Sequence, residues 1–205
     1  MEQLTPWWHK TILYQVYPMS FQDTNHDGIG DIPGITRRLD YIQSLGVNMI
    51  WINPVFASPK VDNGYDVSDY MQIDPQFGTM QDVEELIHEA HDRGIKIIFD
   101  MILNHTSDQH PWFQEAIKGP DNPFRDYYIW RDGKENGTKA PNNWEGFFNT
   151  PVWEKGPRTN DAYYFHLFAK EMPDLNWENP DVRRALTDIA LFWLDKGIDG
   201  CEQRQ

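Results

Sequence analysis

The residues best suited to chemistry follow an apolar run in the middle of the chain. Residues 95–99 (IKIIF) precede Asp100, Asn104 and His105. Nearly continuous hydrophobicity over about four to eight residues is typical of a strand buried on both faces, as in a parallel sheet covered by helices. A carboxylate there is costly unless a partner or a chemical task compensates for its charge. Because ligands bind at the carboxyl ends of parallel strands, these three polar residues are candidate site residues.

A second polar cluster follows the preceding predicted strand, residues 47–52 (VNMIWI). A long turn-rich excursion after that strand carries Asp62, Tyr65 and Asp66. Carboxyl ends of parallel strands share one edge of the sheet, so acid, phenol and imidazole are expected to converge there. A buried hydrogen-bonded cluster with no chemical task is the alternative.

Aromatic side chains are frequent in the stretch after His105. Aromatic faces surrounded by polar groups suit the C–H faces and hydroxyls of sugars, whereas burial statistics predict that most such rings form a small local core. The aromatic residues in question are Trp144, Phe147, Phe148, Phe165 and Phe168.

A loop early in the chain has the oxygen-rich alternation of a calcium site. Its sixth position is Gly28, as in an EF-hand loop, but its twelfth is Gly34 instead of glutamate, and it follows a strand. We therefore expect a hard divalent cation in a loop that is not an EF-hand, and an Asp-rich turn capping the next helix is the alternative. The expected ligands are Asp23, Asn25, Asp27, Ile29 and Asp31.

The elements that position these residues form an internal repeat. A first strand is predicted at 12–17, and three amphipathic helices each end at a glycine that precedes a strand: Gly46, Gly94 and Gly197. The third unit is about 55 residues longer than the second, which indicates an insertion between His105 and Asn179. Alternating strands and helices predict an α/β fold with a parallel sheet, either a (β/α)8 barrel or an open doubly wound sheet. The lack of a dinucleotide or phosphate-binding glycine motif favours the barrel.

Local signals predict where the helices begin and what they bury. One helix is expected over the apolar positions Ile35, Leu39, Ile42 and Leu45. A second helix begins at a capping box of Thr79 and Asp82, and a third begins at the dipeptide 179–180 (NP). The apolar stripe of the second helix contains Val83, Leu86, Ile87 and Ala90, and that of the third contains Leu186, Ile189, Ala190 and Trp193.

Composition limits the class of partner. The 205 residues include 18 Lys and Arg against 32 Asp and Glu, a net charge of -14, so neither nucleic acid nor an anionic membrane surface is an expected partner. Cys201 is the single cysteine, which excludes an internal disulfide. No segment has the apolar length of a signal peptide or a membrane span. A cytoplasmic protein that binds a small neutral or cationic ligand is expected.

Five segments resemble glycoside hydrolase family 13, the α-amylase superfamily, in their usual order, and the resemblance is nearest to its α-glucosidase and oligo-1,6-glucosidase branch. They are GIGDIPG at 28–34, INPVF at 52–56, NGYDVSDY at 63–70, DMILNH at 100–105 and MPDLN at 172–176. The resemblance implies a TIM (β/α)8 barrel with an inserted domain B after its third strand. It divides the chain into residues 1–105 of the barrel, residues 106–176 of domain B, and residues 177–205 with the third helix and the start of the fourth strand.

The resemblance also implies roles for single residues. Asp62, Tyr65 and His105 would hold the non-reducing glucosyl unit of an α-linked oligosaccharide, and Phe147 and Phe165 would wall that pocket. The loop 23–31 would carry structural Ca²⁺ or Mg²⁺. Asp100 would support the nucleophile strand. The implied activity is α-glucoside hydrolysis by a retaining two-carboxylate mechanism.

The chain departs from the family pattern after Gly200. Cys201 replaces the expected Phe, Glu202 the expected Arg, and Arg204 the nucleophilic Asp. The general acid and a third carboxylate belong to later strands of the family that are absent from these 205 residues. We therefore expect a fragment without hydrolytic activity, and a noncatalytic carbohydrate-binding or structural member of the superfamily is the alternative. The preference between α-1,4 and α-1,6 linkages stays open.

Overall fold

A computed structural model describes residues 6–157 and 162–203. The strands are β1 (Leu13–Val16), β2 (Met49–Ile52), β3 (Phe56–Ala57), β4 (Asp69–Ile73), β5 (Lys96–Asp100), β6 (Trp130–Asp132), β7 (Trp153–Lys155), β8 (Ala162–Phe165) and β9 (Gly200–Glu202). The helices are α1 (Ile32–Arg37), α2 (Leu39–Ser44), α3 (Met80–Asp92), α4 (Pro111–Ala116), the short turn α5 (Lys134–Gly137) and α6 (Pro180–Asp195), and short 3-10 turns lie at Trp7–Lys10, Pro18–Ser20 and Arg125–Tyr127.

The described residues divide into two compact units. The first unit contains residues 6–55, 72–101 and 191–203. The second contains residues 56–71 and 102–157 together with 162–190. The division of the chain at 105 and 176 stays a prediction.

The first unit is built on a parallel four-stranded sheet in the order β1-β2-β5-β9. Ile50 pairs with Ile97, and both side chains are fully buried. Ile98 pairs with Gly200 on the other side of β5. The expected α/β fold with a parallel sheet is confirmed, and the nearly continuous apolar runs of β2 and β5 follow from their burial on both faces.

All three repeated glycines have the backbone geometry that ends a helix, and Gly46 after α2 has φ 77°. Gly94 after α3 has φ 71° and Gly197 after α6 has φ 106°, both in the left-handed region. Glycine enters this region without the steric penalty of a Cβ atom, so the chain can leave the helix and turn into the next strand. The sequence repeat therefore corresponds to a repeated helix-to-strand turn.

The first predicted helix is wrong in detail, because the structure has two short helices, α1 and α2. They meet at Arg38, which has φ -105° and ψ 6°. The Arg38 N–H donates to the Ile35 carbonyl at 2.9 Å, an i to i-3 bond that tightens the turn. Leu45, predicted as a buried helical position, is 46% exposed. The apolar spacing continued across the break, so periodicity alone could not locate it.

The second predicted helix is confirmed as α3. The Asp82 N–H donates to Thr79 Oγ1 at 3.2 Å, and the Thr79 N–H donates to Asp82 Oδ2 at 2.7 Å. This capping box satisfies two N–H groups that the helix itself leaves unpaired. Its expected apolar positions Val83, Leu86, Ile87 and Ala90 are all buried.

The second unit contains the predicted insertion, and its core is antiparallel. Strands β6, β8 and β7 form a three-stranded sheet with β8 in the centre. Val152, Trp153 and Tyr163 form a buried cluster on this sheet. Helix α6 begins as predicted, since Asn179 Oδ1 accepts the Asp181 N–H at 2.9 Å. Of its expected apolar positions Leu186, Ile189 and Trp193 are buried, and Ala190 is partly buried.

Among the described residues, no helix combines the length and apolar character that crossing a lipid bilayer would require.

Candidate functional site

His105 lies after β5, in the second unit, and is 4% exposed. Its Nε2 lies 3.0 Å from the Tyr65 carbonyl oxygen. Because a carbonyl only accepts, Nε2 carries the proton, and Nδ1 is free to accept from Asn104 Nδ2 at 3.3 Å. Burial lowers the pKa of His105 to about 4, so the ring is neutral at pH 7. A hydrogen bond from His105 to a ligand would share Nε2–H with the Tyr65 carbonyl.

Asp174 anchors this network from the end of the inserted stretch. It is 6% exposed and accepts hydrogen bonds from Asn104 Nδ2 at 3.0 Å and from the Leu167 N–H at 2.9 Å. Burial raises the pKa of Asp174 to about 6, against the two hydrogen bonds that lower it. Asp174 lies in a segment that resembles the family, but sequence alone predicts no role for it, because its partner lies 70 residues earlier.

The loop that carries Asp62 and Tyr65 is organised by the carboxylate of Asp66, which is fully buried. The Asp66 carboxylate accepts the N–H of Val61 at 2.9 Å and of Asp62 at 3.0 Å. Asp62 itself is partly buried, and its pKa is raised by that burial and then by the charge of Asp66. Asp62 therefore offers a partly desolvated acceptor on the same loop that binds His105.

Tyr70 fixes the main chain under this cluster. Its ring is 1% exposed, and its hydroxyl lies 2.7 Å from the Ile102 carbonyl and 2.8 Å from the His105 carbonyl. A buried phenol that meets two carbonyls satisfies its own donor and also positions the turn that presents His105. Sequence reasoning missed this role, although Tyr70 closes the segment 63–70 that it had singled out.

The predicted wall residues Phe147 and Phe165 lie in different surroundings. The Phe168 ring lies 5.2 Å from the His105 ring, and Phe147 lies 5.4 Å from Phe168 with 70% of its surface exposed. Phe165 instead packs at 5.2 Å from Trp153, in the core of the antiparallel sheet. Phe147 is thus connected to the His105 cluster through Phe168, a residue that had no predicted role in it.

The expectation that most of the five aromatic residues form a local core is wrong. Three of them are exposed and two are partly buried. The exposed rings are Trp144 at 61%, Phe147 at 70% and Phe148 at 49%. An exposed group of three large rings is available for contact with a ligand.

The loop 23–31 belongs to the first unit, and hydrogen bonds from its N–H groups to its own carboxylates hold its conformation. Asp23 Oδ2 accepts the N–H of Gly28 at 2.9 Å, which lowers the pKa of Asp23. Gly28 has φ 90°, the backbone region in which glycine is favoured. Asp27 Oδ1 accepts the Ile29 N–H at 2.8 Å, and Asn25 Oδ1 accepts the Asp27 N–H at 2.9 Å.

Asp31 closes the loop and begins α1. Its Oδ2 accepts from Thr24 at 2.9 Å and its Oδ1 accepts the Gly34 N–H at 2.7 Å, so the helix-capping interpretation is correct for this residue. A cation would use the remaining lone pairs of the loop oxygens.

The predicted ligand atoms of the loop are all oxygens, which suits a hard cation and not zinc. Across residues 6–157 and 162–203, a group of three His, Asp or Glu ligand atoms within 4.8 Å of one another occurs at His88, Glu89 and Asp92, on the surface of α3. The three loop carboxylates do not form such a group, so a cation there also needs the Asn25 amide oxygen and the Ile29 carbonyl. With the Asn25 amide oxygen and the Ile29 carbonyl included, the predicted ligand atoms fit Ca²⁺ or Mg²⁺.

Asp100 ends β5 in the first unit and is 2% exposed. Its register partner on β9 is Glu202, and the Met101 N–H donates to the Glu202 carbonyl at 2.7 Å. Two acids therefore occupy paired positions on neighbouring strands, where an arginine beside Asp100 was expected. Like charges at such positions repel. Arg204, at the expected nucleophile position, lies outside the described residues.

Comparisons with known proteins agree with the arrangement of these motifs. The family model of the alpha amylase catalytic domain matches residues 15–202. The chain is 57% identical over 194 residues to an oligo-1,6-glucosidase of Parageobacillus thermoglucosidasius, covering 95% of this chain and 34% of that protein.

Solved structures show the same fold. A trehalose-6-phosphate hydrolase of Bacillus licheniformis superimposes with a TM-score of 0.94 at 50% identity, covering 97% of this chain and 36% of the other. A trehalulose synthase mutant in complex with its substrate sucrose superimposes with a TM-score of 0.93 at 50% identity, covering 98% of this chain and 35% of the other. The chain thus spans about a third of the length of these proteins. It belongs to the α-amylase family, glycoside hydrolase family 13.

Proposed function

We propose that this chain is the substrate-holding part of an α-glucosidase that acts on α-linked gluco-oligosaccharides. The observation that carries the proposal is the coupled loop geometry, in which the Tyr65 carbonyl accepts from His105 while Asp66 orders the backbone of Asp62. Asp62 would accept sugar hydroxyls, His105 would donate through a shared Nε2–H, and the Tyr65 ring would pack on the sugar. Phe147 and Phe165 would wall the pocket.

The chemistry of the proposed enzyme is retaining hydrolysis with two carboxylates. Asp100 would support the strand that carries the nucleophile. With Glu202 and Arg204 at the positions of the expected arginine and aspartate, we propose that the 205 residues do not themselves hydrolyse a glucoside. The same two substitutions favour the second candidate function, a noncatalytic carbohydrate-binding protein. We also propose a cytoplasmic location, in keeping with the single cysteine.

A chimera tests the proposed function. Residues 1–200 of this chain would be joined to the remaining part of the P. thermoglucosidasius oligo-1,6-glucosidase, which supplies its own nucleophile and acid. We expect hydrolysis of an aryl α-glucoside, with kcat/KM reduced about a hundredfold or more in Asp62→Ala and His105→Ala. Asp92→Ala, an exposed acid on α3, is the matched control. A folded but inactive chimera, or one indifferent to Asp62→Ala, would contradict the proposal.

We propose in addition that the loop 23–31 binds Ca²⁺ or Mg²⁺ through Asp23, Asn25, Asp27, the Ile29 carbonyl and Asp31. A cation that binds only the folded chain raises its melting temperature by mass action, by about 5 °C at a hundredfold excess over Kd. Asp27→Ala should abolish the increase measured by differential scanning calorimetry. His88→Ala, which removes a ligand from the surface group on α3, should leave it unchanged; the opposite pattern would place the cation on α3.

A further inference from the structure

A cleft of about 340 Å³ lies in the second unit, between β4, the beginning of α4 and the first half of α6. None of its lining residues belongs to the proposed glucosyl pocket. The side chains that give it its chemistry are Asp69, Met71, His110, Trp112, Asp188 and Ile189.

His110 is the buried polar group of this cleft. It is 5% exposed, and its Nδ1 accepts the Trp112 N–H at 3.1 Å. The proton therefore resides on Nε2, and burial lowers the pKa of His110 to about 4, so the ring is a neutral donor at pH 7. Within the part of the chain that the structure describes, no protein group accepts a hydrogen bond from Nε2. Nε2–H is therefore the group of this ring that can donate to a ligand in the cleft.

The other lining groups restrict the kind of acceptor. Asp69 and Asp188 are exposed carboxylates that disfavour an anion, while the partly buried Trp112 and the buried Ile189 offer apolar surface. A simple cation accepts no hydrogen bond from His110, and a hydrocarbon forms hydrogen bonds with none of the three polar groups. A neutral ring with hydroxyls both donates to carboxylates and accepts from an N–H, and its C–H face packs on an indole.

We propose that this cleft is a second carbohydrate site, which binds a pyranose ring on Trp112 with hydroxyls on His110, Asp69 and Asp188. The proposal goes beyond the proposed hydrolytic function, since binding here requires neither the glucosyl pocket nor a nucleophile.

The test is a titration of the 205-residue chain with methyl α-glucoside, followed by the indole ¹H–¹⁵N resonance of Trp112. Trp112→Phe assigns that resonance by its disappearance. We expect a saturable shift with Kd in the millimolar range, and about tenfold weaker binding in Asp188→Ala. Asp195→Ala, an exposed acid farther along α6, should bind as the unaltered chain does. Circular dichroism checks that each variant is folded.

The outcomes separate this proposal from the proposed function. An unchanged titration in Asp62→Ala supports a site that is independent of the glucosyl pocket, and loss of the Trp112 shift in that variant overturns it. No shift with the sugar, a shift unaffected by Asp188→Ala, or a shift produced by methylammonium and not by methyl α-glucoside also overturns it.

Discussion

The loop around His105 and the strand pair around Asp100 differ in how far their side chains follow the family pattern. At His105, each buried polar group has a partner: Asp174 with Asn104, and His105 with the Tyr65 carbonyl. At Asp100, the register partner is a second acid, Glu202. The comparison indicates that one part of the chain can keep the side chains of the family pattern while another part replaces them.

The difference between the two regions follows from where each region lies in the sequence. The His105 network is built entirely from residues before position 177, where the family segments match. The strand β9 keeps its backbone pairing with β5, because pairing requires only main-chain groups, while its side chains depart from the family pattern. Backbone similarity up to Glu202 therefore does not require that the side chains of the family pattern are present.

Removing the buried anchor of the intact region should have the largest effect on stability. Asp66→Ala would leave the N–H groups of Val61 and Asp62 without their acceptor, and we expect the free energy of unfolding to fall by about 3 kcal/mol. Urea unfolding at pH 7 measures it, with Asp195→Ala as the control. A loss no larger than that of the control would show that this loop is not held as described.

Acidification should weaken the same region. His105 and His110 have pKa values lowered to about 4, so below pH 6.5 the unfolded chain binds protons that the folded rings do not, and stability falls as the pH falls toward 4. Asp174 has a pKa raised to about 6, so the folded state binds its proton first and this residue adds stability as the pH falls. From pH 7 to pH 5 we expect a net loss on the order of 2 kcal/mol.

Urea midpoints across this pH range provide the measurement. His88→Gln, which removes an exposed histidine, should leave the slope unchanged, whereas His110→Gln should reduce it. Stability that rises on acidification would contradict the assignment of two buried neutral histidines.

Changing the charge at the register partner of Asp100 should have the smallest effect. Glu202→Arg would place a cation at the register partner of Asp100, and we expect a gain of about 1 kcal/mol in the free energy of unfolding. Glu202→Gln, which only removes the negative charge, should give a smaller gain. A loss in the arginine variant would show that the two paired positions do not interact through charge.

Sequence reasoning predicted the features that depend on local pattern. The capping box at Thr79 and the turn at Gly94 are set by residues within one helix, and both are present. The break at Arg38 was missed, because an apolar stripe continues across it. Asp174 and Tyr70 were given no role, since their partners lie 70 and 35 residues away in sequence. The exposure of Phe147 depends on the path of its turn, which hydrophobicity does not encode.

We propose that the substrate-holding residues are retained while the side chains of the nucleophile strand are not. Two chimeras with the P. thermoglucosidasius oligo-1,6-glucosidase test it, identical except that residues 201–204 are either those of the relative or those of this chain. We predict hydrolysis of an aryl α-glucoside by the first, and a kcat lower by on the order of 10⁴-fold or more in the second. Comparable rates in the two chimeras would contradict the claim.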